Sequence, residues 1–308
     1  MELFKRQTKI DFMGLRKGVA LLSVVLCIAS FALLMTKGLN WGLDFTGGTL
    51  LEVRFSESVV DEQVRDTLIH AGFENAKVSY YGDAQDLLIR IGNQAGISEK
   101  ELAQNVVDSL SSADFNLELR RAEFVGSEVG AELAEQGALA VLVAVLMTMV
   151  YIAFRFEYRF AVSAAVALMH DPIVILGVFS FFQIEFDLAA LAAILAVMGY
   201  SLNDTIVVFD RVRENFRKIR QANAYEVLNL SINQTLSRTI MTSFLTLLVV
   251  VALFFLGGDS LYGFSTAMLV GIVFGTYSSI YVAGALALQL GLKQEDMLIK
   301  PTFVDDRP

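Results

Sequence analysis

Six long apolar runs divide the sequence, and each is long enough to cross a membrane as a helix. About 20 apolar residues, at a rise of about 1.5 Å each, span the roughly 30 Å of hydrocarbon in a bilayer. The runs cover residues 18–35, 138–154, 160–182, 188–209, 239–256 and 263–290. The chain is 55% hydrophobic, and these residues are gathered in the runs rather than spread evenly, unlike those of a soluble domain. The pattern predicts an α-helical membrane protein with six transmembrane helices.

Basic residues between the runs indicate the orientation, because Lys and Arg are retained on the cytoplasmic side. They lie in the leader (Lys5, Arg6, Lys9, Arg16, Lys17) and in three segments that alternation places on the same side (Arg155 and Arg159, residues 211–220, and Lys293 with Lys300). Residues 183–187 and 257–260, on the other side, contain none. We therefore expect cytoplasmic termini, with a leader at 1–17, a first transmembrane helix at 18–36 and a tail at 291–308. A signal peptide is the alternative for the first run, but that run lacks a convincing cleavage site.

Residues 37–136 contain no apolar run, so we expect a domain on the periplasmic side. Alternation with period two predicts strands, and helical spacing predicts helices between them. The predicted elements are a strand at 49–55, a helix at 59–71 with Val60, Val64, Leu68 and Ile69 on one face, strands at 76–81 and 86–91 joined by a turn at Gly82-Asp83, a helix capped by Ser98 with Leu102, Val106 and Leu110 inward, and a strand at 115–125. This βαββαβ order predicts a small α+β domain of the ferredoxin-like type, followed by a five-helix transmembrane domain at 137–290.

Two opposite charges lie in neighbouring apolar runs, where a charge is costly and is by default a functional hypothesis. Asp204 lies near the cytoplasmic end of the fourth run, and Arg238 lies at the start of the fifth. The rise per residue places them at similar depth, so they can meet if the two helices are neighbours. Burial favours the neutral acid and a nearby guanidinium favours the carboxylate, so the pair would form a two-state proton switch. Thr235, Thr239 and Thr242 predict a polar stripe beside Arg238.

Structural roles are the alternatives for these residues. Asp204 and Arg238 could form a static ion pair, or Arg238 could only extend to the inner headgroups. Asp171, beside His170 and Pro172 in the third run, could be a second relay acid or a structural acid near a proline kink. Small residues in the last run suit close helix packing, namely Gly271, Gly275, Ser278, Ser279 and Gly284.

Five motifs follow one another in a specific order. They are GLDFTGGT at 42–49, GAEL at 130–133, HDP at 170–172, GYSLNDTIVVFDRVREN at 199–215 and SRT at 237–239. The adjacent glycines of the first motif allow a bend that side chains would forbid. With six apolar runs around them, these motifs resemble the SecF family of the resistance-nodulation-division superfamily over essentially the whole chain.

The resemblance implies a subunit of the SecDF complex in the bacterial inner membrane, a transport subunit rather than an enzyme. Such a subunit uses the proton-motive force to assist Sec-dependent protein translocation. The implied partners are SecD, the SecYEG channel, unfolded preprotein and protons. By motif position, Asp204 and Arg238 would form the proton relay, with Asp171 as a further candidate. The family-motif residues implied to be structural are Asp44, Gly47, Gly48, Gly199, Asn203, Thr205, Asp210 and Arg211.

Other classes of function fit less well. A proton-driven small-molecule exporter of the same superfamily would use the same relay, but we expect it to need larger outer domains. An intramembrane aspartyl protease needs two acids at matching depth, with flanking motifs that Asp171 and Asp204 lack. A purely structural subunit is the third alternative. Two His and one Cys cannot form a metal site, no Walker-type loop is present, and we expect no cofactor.

Charge outside the membrane bears on partners. The net charge of -9 argues against nucleic acid as a partner. The basic run at 211–220, which follows Asp210 at the inner headgroup region, is expected to lie on anionic lipid and, as a second choice, to dock a channel subunit. An exposed sheet edge, at 49–55 or 115–125, is one physical way to bind an extended preprotein segment.

Overall fold

The computed structural model describes residues 8–74, 76–81, 83–92, 97, 99–219 and 223–293. The predicted turn residue Gly82, the predicted cap Ser98 and the basic residues Lys5, Arg6, Arg220 and Lys300 lie outside the described residues. In chain order, the elements are α1 (Arg16–Thr36), β1 (Asn40–Trp41), α2 (Leu43–Thr46), β2 (Gly48–Phe55), α3 (Asp61–His70), β3 (Lys77–Tyr81), β4 (Asp83–Ile91), α4 (Glu99–Ser112), β5 (Leu117–Val125), α5 (Ser127–Arg155), α6 (Tyr158–Phe182), β6 (Glu185–Phe186), α7 (Leu188–Lys218), α8 (Ala224–Leu256), α9 (Tyr262–Tyr277) and α10 (Ala283–Gln289). A π-helical turn, Ser278–Val282, joins α9 to α10.

Six helices of the described chain are long and apolar enough to span a membrane, which confirms the six predicted helices. They are α1, α5, α6, α7, α8 and the continuous stretch from α9 to α10. Several run past the apolar residues: α5 begins at Ser127 rather than near 138, and α8 begins at Ala224 rather than near 239. An apolar run marks contact with hydrocarbon, whereas a helix ends where its backbone groups find a cap. For α8 that cap is Asn223, which exchanges hydrogen bonds with Glu226.

The chain between the first two membrane helices forms a small α/β region. Its four strands form one antiparallel sheet in the order β3-β4-β2-β5, and α3 and α4 contribute to its core. The alternation in β2 is confirmed, because Leu51, Val53 and Phe55 are buried while the residues between them are partly exposed. In α4, all three residues predicted to face inward, at 102, 106 and 110, are buried.

Two details of the predicted region are wrong. Val64 and Leu68 of α3 are buried one helical turn apart, but Val60 and Ile69 are exposed. Val60 has extended backbone and precedes the helix, and Ile69 lies about 100° around the helix from Leu68. Residues 49–55 are also not a sheet edge, since β2 pairs with β4 on one side and with β5 on the other.

Helix α7 lies in the middle of the membrane bundle, in contact with α6, α8 and α9. Glycines let α9 approach it closely: a Cβ at Gly271 would lie 2.4 Å from Val197, and one at Gly275 would lie 3.0 Å from Ser201. This close packing confirms the prediction for Gly271 and Gly275. Ser201, Asp204 and Thr205 of α7 are therefore enclosed by neighbouring helices rather than exposed to lipid.

Candidate functional site

Asp204 is buried on α7 and is held by hydroxyl groups from two other helical elements. Its Oδ1 accepts a hydrogen bond from Thr239 Oγ1 of α8 at 2.5 Å, and its Oδ2 accepts one from Ser279 Oγ of the π-helical turn at 2.6 Å. The side chain is 8% exposed. Among the described residues, no Lys, Arg or His nitrogen lies within 4.0 Å of this carboxyl group. A buried acid held only by neutral donors can exist with or without its proton while the site stays hydrogen-bonded.

Asp171 on α6 is fully buried and forms a second cluster. Its Oδ2 accepts hydrogen bonds from Ser201 Oγ of α7 at 2.5 Å and from Ser278 Oγ at 3.0 Å. Its Oδ1 lies 3.0 Å from Nδ1 of His170, whose Nε2 is buried with no hydrogen-bond partner among the described residues. Helix α6 continues through Pro172. Asp171 therefore belongs to the same buried polar region as Asp204, one helix further across the bundle.

The π-helical turn brings the two acids together. Ser278 and Ser279 are adjacent in sequence, and each donates to a different acid, the first to Asp171 and the second to Asp204. Adjacent side chains of a helix point about 100° apart, so a single turn can bridge two acids on opposite sides. The sequence predicts only a packing role for these two serines, and no periodicity in it signals a π-helical turn.

Arg238 does not form an ion pair with Asp204. Its side chain is exposed on α8, whereas the next residue, Thr239, faces the acid. The similar depth predicted for the two residues is reproduced, because Thr239 bonds to Asp204, but the direct contact is replaced by a hydroxyl.

The predicted polar stripe on α8 contributes only one side chain to the acid. Thr235 and Thr242 donate their hydroxyl protons to carbonyls of their own helix. A separate row of hydroxyls lies nearby, in which Tyr200 donates to Ser243 at 3.1 Å and Ser243 lies 2.7 Å from Thr276 Oγ1.

Three motif residues on α7 form no hydrogen bond with the carboxyl groups of Asp204 and Asp171. Thr205 is buried, Asn203 is exposed, and a Cβ at Gly199 would meet nothing within 4 Å. The structure therefore brings together Asp204, Asp171 and their serine and threonine donors, and it leaves these three outside the hydrogen-bonded cluster.

The opposite end of α7 meets the GLDFTGGT segment. Asp44 Oδ2 accepts a hydrogen bond from the Leu188 backbone N–H at 3.0 Å, and Asp187 caps the same helix by accepting from Ala190 at 2.7 Å. Two acids 143 positions apart in the sequence thus satisfy the first N–H groups of one helix. Burial raises the pKa of Asp187, and the nearby carboxyl groups of Glu185 and Asp44 raise it further.

Both glycines of this segment have backbone angles that favour glycine, with φ of +65° at Gly47 and +129° at Gly48. A Cβ at Gly48 would lie 2.6 Å from the Ile91 carbonyl oxygen of β4. Gly130 of α5 approaches Gly47 so closely that its own Cβ would lie 2.8 Å from the Gly47 nitrogen. The GG and GAEL segments are therefore packed on one another.

A short parallel ladder joins the α/β region to the membrane bundle. Strand β1 pairs with β6, and the Gly42 N–H donates to the Phe186 carbonyl at 2.8 Å. Arg90 of β4 forms an ion pair with Glu185 and donates to the Trp41 carbonyl. We call this set of contacts, from residues 40–48 to residues 185–188, the outer joint.

Ion pairs dominate the other end of α7. Asp210 pairs with Arg155 of α5 at 2.6 Å and lies 3.7 Å from Arg213. Arg211 donates to Gln234 of α8 and pairs with Glu214. These motif residues tie helix ends together, so part of the basic run predicted to lie on lipid is already paired within the chain. No group of three or more potential metal ligands occurs among the described residues.

Comparisons with known proteins agree with this architecture. The family described as "Protein export membrane protein SecD/SecF, C-terminal" matches residues 105–293, and the "SecD/SecF GG Motif" family matches residues 32–59. Protein translocase subunit SecF of Pseudomonas aeruginosa is 48% identical, over 97% of this chain and 98% of that protein. Protein translocase subunit SecF of Escherichia coli O157:H7 is 47% identical, over 90% of this chain and 86% of that protein.

Solved structures of SecDF are also similar to this chain. The crystal structure of SecDF, a translocon-associated membrane protein from Thermus thermophilus, has a TM-score of 0.84 at 36% identity. The match covers 94% of this chain and 39% of that one, so this chain spans about two fifths of the SecDF polypeptide. A second SecDF structure, in a super-membrane-facing form, matches with a TM-score of 0.67 at 34% identity. This chain belongs to the SecD/SecF family of protein-export membrane proteins, on the SecF side of that family.

Proposed function

We propose that this chain works with a SecD-type partner beside the Sec channel, where it couples proton flow across the bacterial inner membrane to the handling of emerging preprotein. The observation that carries the proposal is the environment of Asp204, a buried carboxyl group bonded to two hydroxyls. No Lys, Arg or His of the described residues is in direct contact with it. A static structural acid would be expected to have a bonded counter-ion, because an uncompensated buried charge is costly.

Protonation of Asp204 changes what its neighbours must do. As a carboxylate it accepts from both Thr239 and Ser279, but once protonated it becomes a donor at one oxygen, so one hydroxyl has to turn. The Ser279 hydroxyl has an alternative acceptor close by, because its Oγ lies 3.0 Å from the Thr276 carbonyl oxygen. Proton binding thus weakens a link between α7 and either α8 or the π-helical turn.

Arg238 acts in this scheme from a distance. It lies next to Thr239, so a rotation of α8 by about 100° would exchange the hydroxyl for the guanidinium beside Asp204. The carboxylate favours the arrangement with the cation close, and the neutral acid favours the arrangement described here. Asp171 extends the relay through Ser278, which lies beside Ser279, the donor to Asp204.

Helix α7 supplies the mechanical connection. Asp204 lies 16 residues after Leu188, where α7 begins, which corresponds to about 24 Å of helix. At Leu188 the helix is bonded to Asp44 of the outer joint. A shift of α7 driven at Asp204 therefore reaches the α/β region through direct hydrogen bonds rather than through a flexible linker.

The energy that one proton releases on crossing the membrane limits the work that can be done on preprotein. One elementary charge that crosses about 100 mV releases about 2.3 kcal/mol, which can bias two packings of a helix pair but cannot unfold a folded domain. We infer that the work is done on an already extended preprotein. Strand β5 is an edge of the sheet, and its Leu119 and Phe124 are exposed, which suits the addition of an extended segment.

The proposed topology places residues 1–17 and 291–308 in the cytoplasm and residues 37–136 in the periplasm as a ferredoxin-like domain. The βαββαβ element order and the strand order β3-β4-β2-β5 support that assignment of the domain. The basic residues of the inner segments support the orientation.

Export driven by a proton gradient tests the proposal. Inverted membrane vesicles that carry the full complex would be supplied with a preprotein, with and without an imposed gradient. Asp204→Asn and Arg238→Met are expected to insert and assemble normally but to lose gradient-stimulated export, whereas the control Asp210→Asn keeps it. Full stimulation in Asp204→Asn would contradict the relay.

A further inference from the structure

An apolar groove of about 630 Å³ lies on the membrane face of the bundle, between α1, α6 and the last span. Its lining includes Val24, Cys27 and Ile28 of α1, Met169 and His170 of α6, and Ala285 of α10. The volume falls within the range of about 300 to 1,000 Å³ that small-molecule sites have. The outer joint and the hydroxyls around Asp204 do not line it.

The groove has the length of one lipid leaflet. Along α1 it extends from Val19 to Phe31, which are 12 residues or about 18 Å apart on a helix. Half of the hydrocarbon thickness of a bilayer is about 15 Å. Since the groove lies between helices that are apolar enough to span a membrane, the molecules that surround it are acyl chains.

One end of the groove is flanked by two cations. Lys17 precedes the lining residues Ala20 and Val24 by three and seven positions, so it lies on the same face of α1. Arg159 has the same spacing to Val162 and Val166 on α6. Lys17 is exposed and Arg159 is partly exposed, with its Nε donating to the Leu290 carbonyl next to the lining residue Gln289.

We propose that the groove binds one anionic phospholipid, with an acyl chain along α1 and α6 and the headgroup phosphate at Lys17 and Arg159. Basic positions between membrane helices recognise such headgroups, at about a fivefold gain in affinity for each cation. The bound acyl chain covers His170, whose ring lies between the groove and Asp171. The lipid therefore excludes water from the acid cluster on this side, a role that does not depend on proton coupling.

The test is photo-crosslinking with the full chain, purified with its native partners into nanodiscs of phosphatidylcholine. A small amount of phosphatidylglycerol with a diazirine in its acyl chain is added, and adducts are mapped by peptide mass spectrometry. We expect adducts concentrated on groove residues of α1 and α6, displaced by unlabelled phosphatidylglycerol and not by extra phosphatidylcholine.

Variants with matched controls separate binding of the acyl chain from binding of the headgroup. Ala165→Phe fills the groove and is expected to remove the groove adducts, whereas Ala140→Phe, on an exposed face of α5, leaves them unchanged. Lys17→Gln is expected to lower phosphatidylglycerol labelling about fivefold, and Lys9→Gln, an exposed lysine before α1, is not.

Three results would overturn the proposal. Labelling of exposed α5 residues such as Leu142 as strong as that of the groove would indicate ordinary annular lipid. Equal groove labelling by a diazirine phosphatidylcholine would remove the headgroup specificity. A groove without adducts in the native complex would indicate that a partner helix covers it. Size-exclusion profiles equal to that of the parent chain establish that each variant is folded.

Discussion

Two acids on the same helix, Asp204 and Asp210, lie six positions apart in opposite environments. Asp204 is buried and bonded to two neutral hydroxyls, whereas Asp210 is about 40% exposed and bonded to Arg155. The Asp210 carboxyl group is bonded to a cation and is partly in contact with solvent, so its ion pair contributes little beyond holding two helix ends together. Asp204 is only 8% exposed and is bonded to no cation among the described residues, so the presence of a proton decides its hydrogen bonds. The comparison indicates that a relay requires an acid whose partners tolerate both of its states.

The largest expected effect comes from removing the titratable group itself. Asp204→Asn keeps an acceptor oxygen for one of the two hydroxyls and places an NH2 donor at the other, but it cannot bind or release a proton. Gradient-stimulated export should therefore fall by about tenfold or more. Asp210→Asn should change it less than about twofold. Export assays in vesicles, with the amount of assembled complex measured in parallel, check both. Equal losses in the two variants would mean that the two environments do not differ in function.

The next effect concerns the outer joint, which must hold the far end of α7. Gly48→Ala places a Cβ 2.6 Å from the Ile91 carbonyl at a φ of +129°, and we expect a loss of about 1 to 3 kcal/mol in the free energy of unfolding of the α/β region. Gly72 has a φ of +95°, and a Cβ there would meet nothing within 4 Å. Gly72→Ala therefore serves as the control for backbone strain alone. Hydrogen exchange measures both, and equal costs would remove the special role of the close contact.

A smaller effect is expected at the hydroxyl donors. Ser279→Ala leaves an oxygen of Asp204 short of one donor in a buried site, at a cost of about 1 to 3 kcal/mol, and should reduce gradient-stimulated export several-fold. The control is Ser265→Ala, because Ser265 is a buried serine of α9 that bonds only to carbonyls of its own helix. If both variants export at the same rate, the serine of the π-helical turn has no role in the relay.

The ion pairs at the C-terminal end of α7 should matter little for stability. Arg155→Gln breaks the ion pair with Asp210. Both side chains of this pair are more than a third exposed, so we expect a change of at most about 1 kcal/mol in the free energy of unfolding. Thermal unfolding in low and high salt would measure it. A loss of several kcal/mol would show that this cluster is as important to the fold as the buried one.

The smallest effect is a pH dependence at the outer joint. The pKa of Asp187 is raised in the folded chain, so its contribution to stability is fully present below its ordinary value of 3.8 and is lost as the pH rises through the raised value. Asp187→Asn keeps a good helix cap and lacks the ionisation, so its advantage over the parent should grow with pH. Melting temperatures at acidic and alkaline pH test this, and a parallel pH dependence in both proteins would contradict it.

Much of this architecture could be predicted because its signals are local. Apolar runs located the six helices, alternation located β2, and the rise per residue placed Asp204 at the level of Thr239 and Arg238. The orientation of Arg238 could not be predicted, because neighbouring residues on a helix point about 100° apart and only the packing decides which one faces the acid. The role of Asp44 could not be predicted either, because its hydrogen-bond partner, the backbone N–H of Leu188, lies 144 residues away in the sequence.

The π-helical turn shows the limit of periodicity most clearly. A helix with 3.6 residues per turn would place Ser278 and Ser279 differently, and a single widened turn changes which side chains meet the two acids. Such turns follow from tertiary packing around a functional site rather than from a local sequence preference. The glycines that admit the neighbouring helices, such as Gly271 and Gly275, were visible in the sequence, but what they bring together was not.

The protonation of Asp204 can be measured directly by infrared spectroscopy of the complex, through the C=O stretching band of a protonated carboxyl group. We expect the parent complex to show such a band that disappears as the pH is raised, that is reduced in Asp204→Asn and that is unchanged in Asp210→Asn. A band of equal size and equal pH dependence in the parent and in Asp204→Asn would contradict the account.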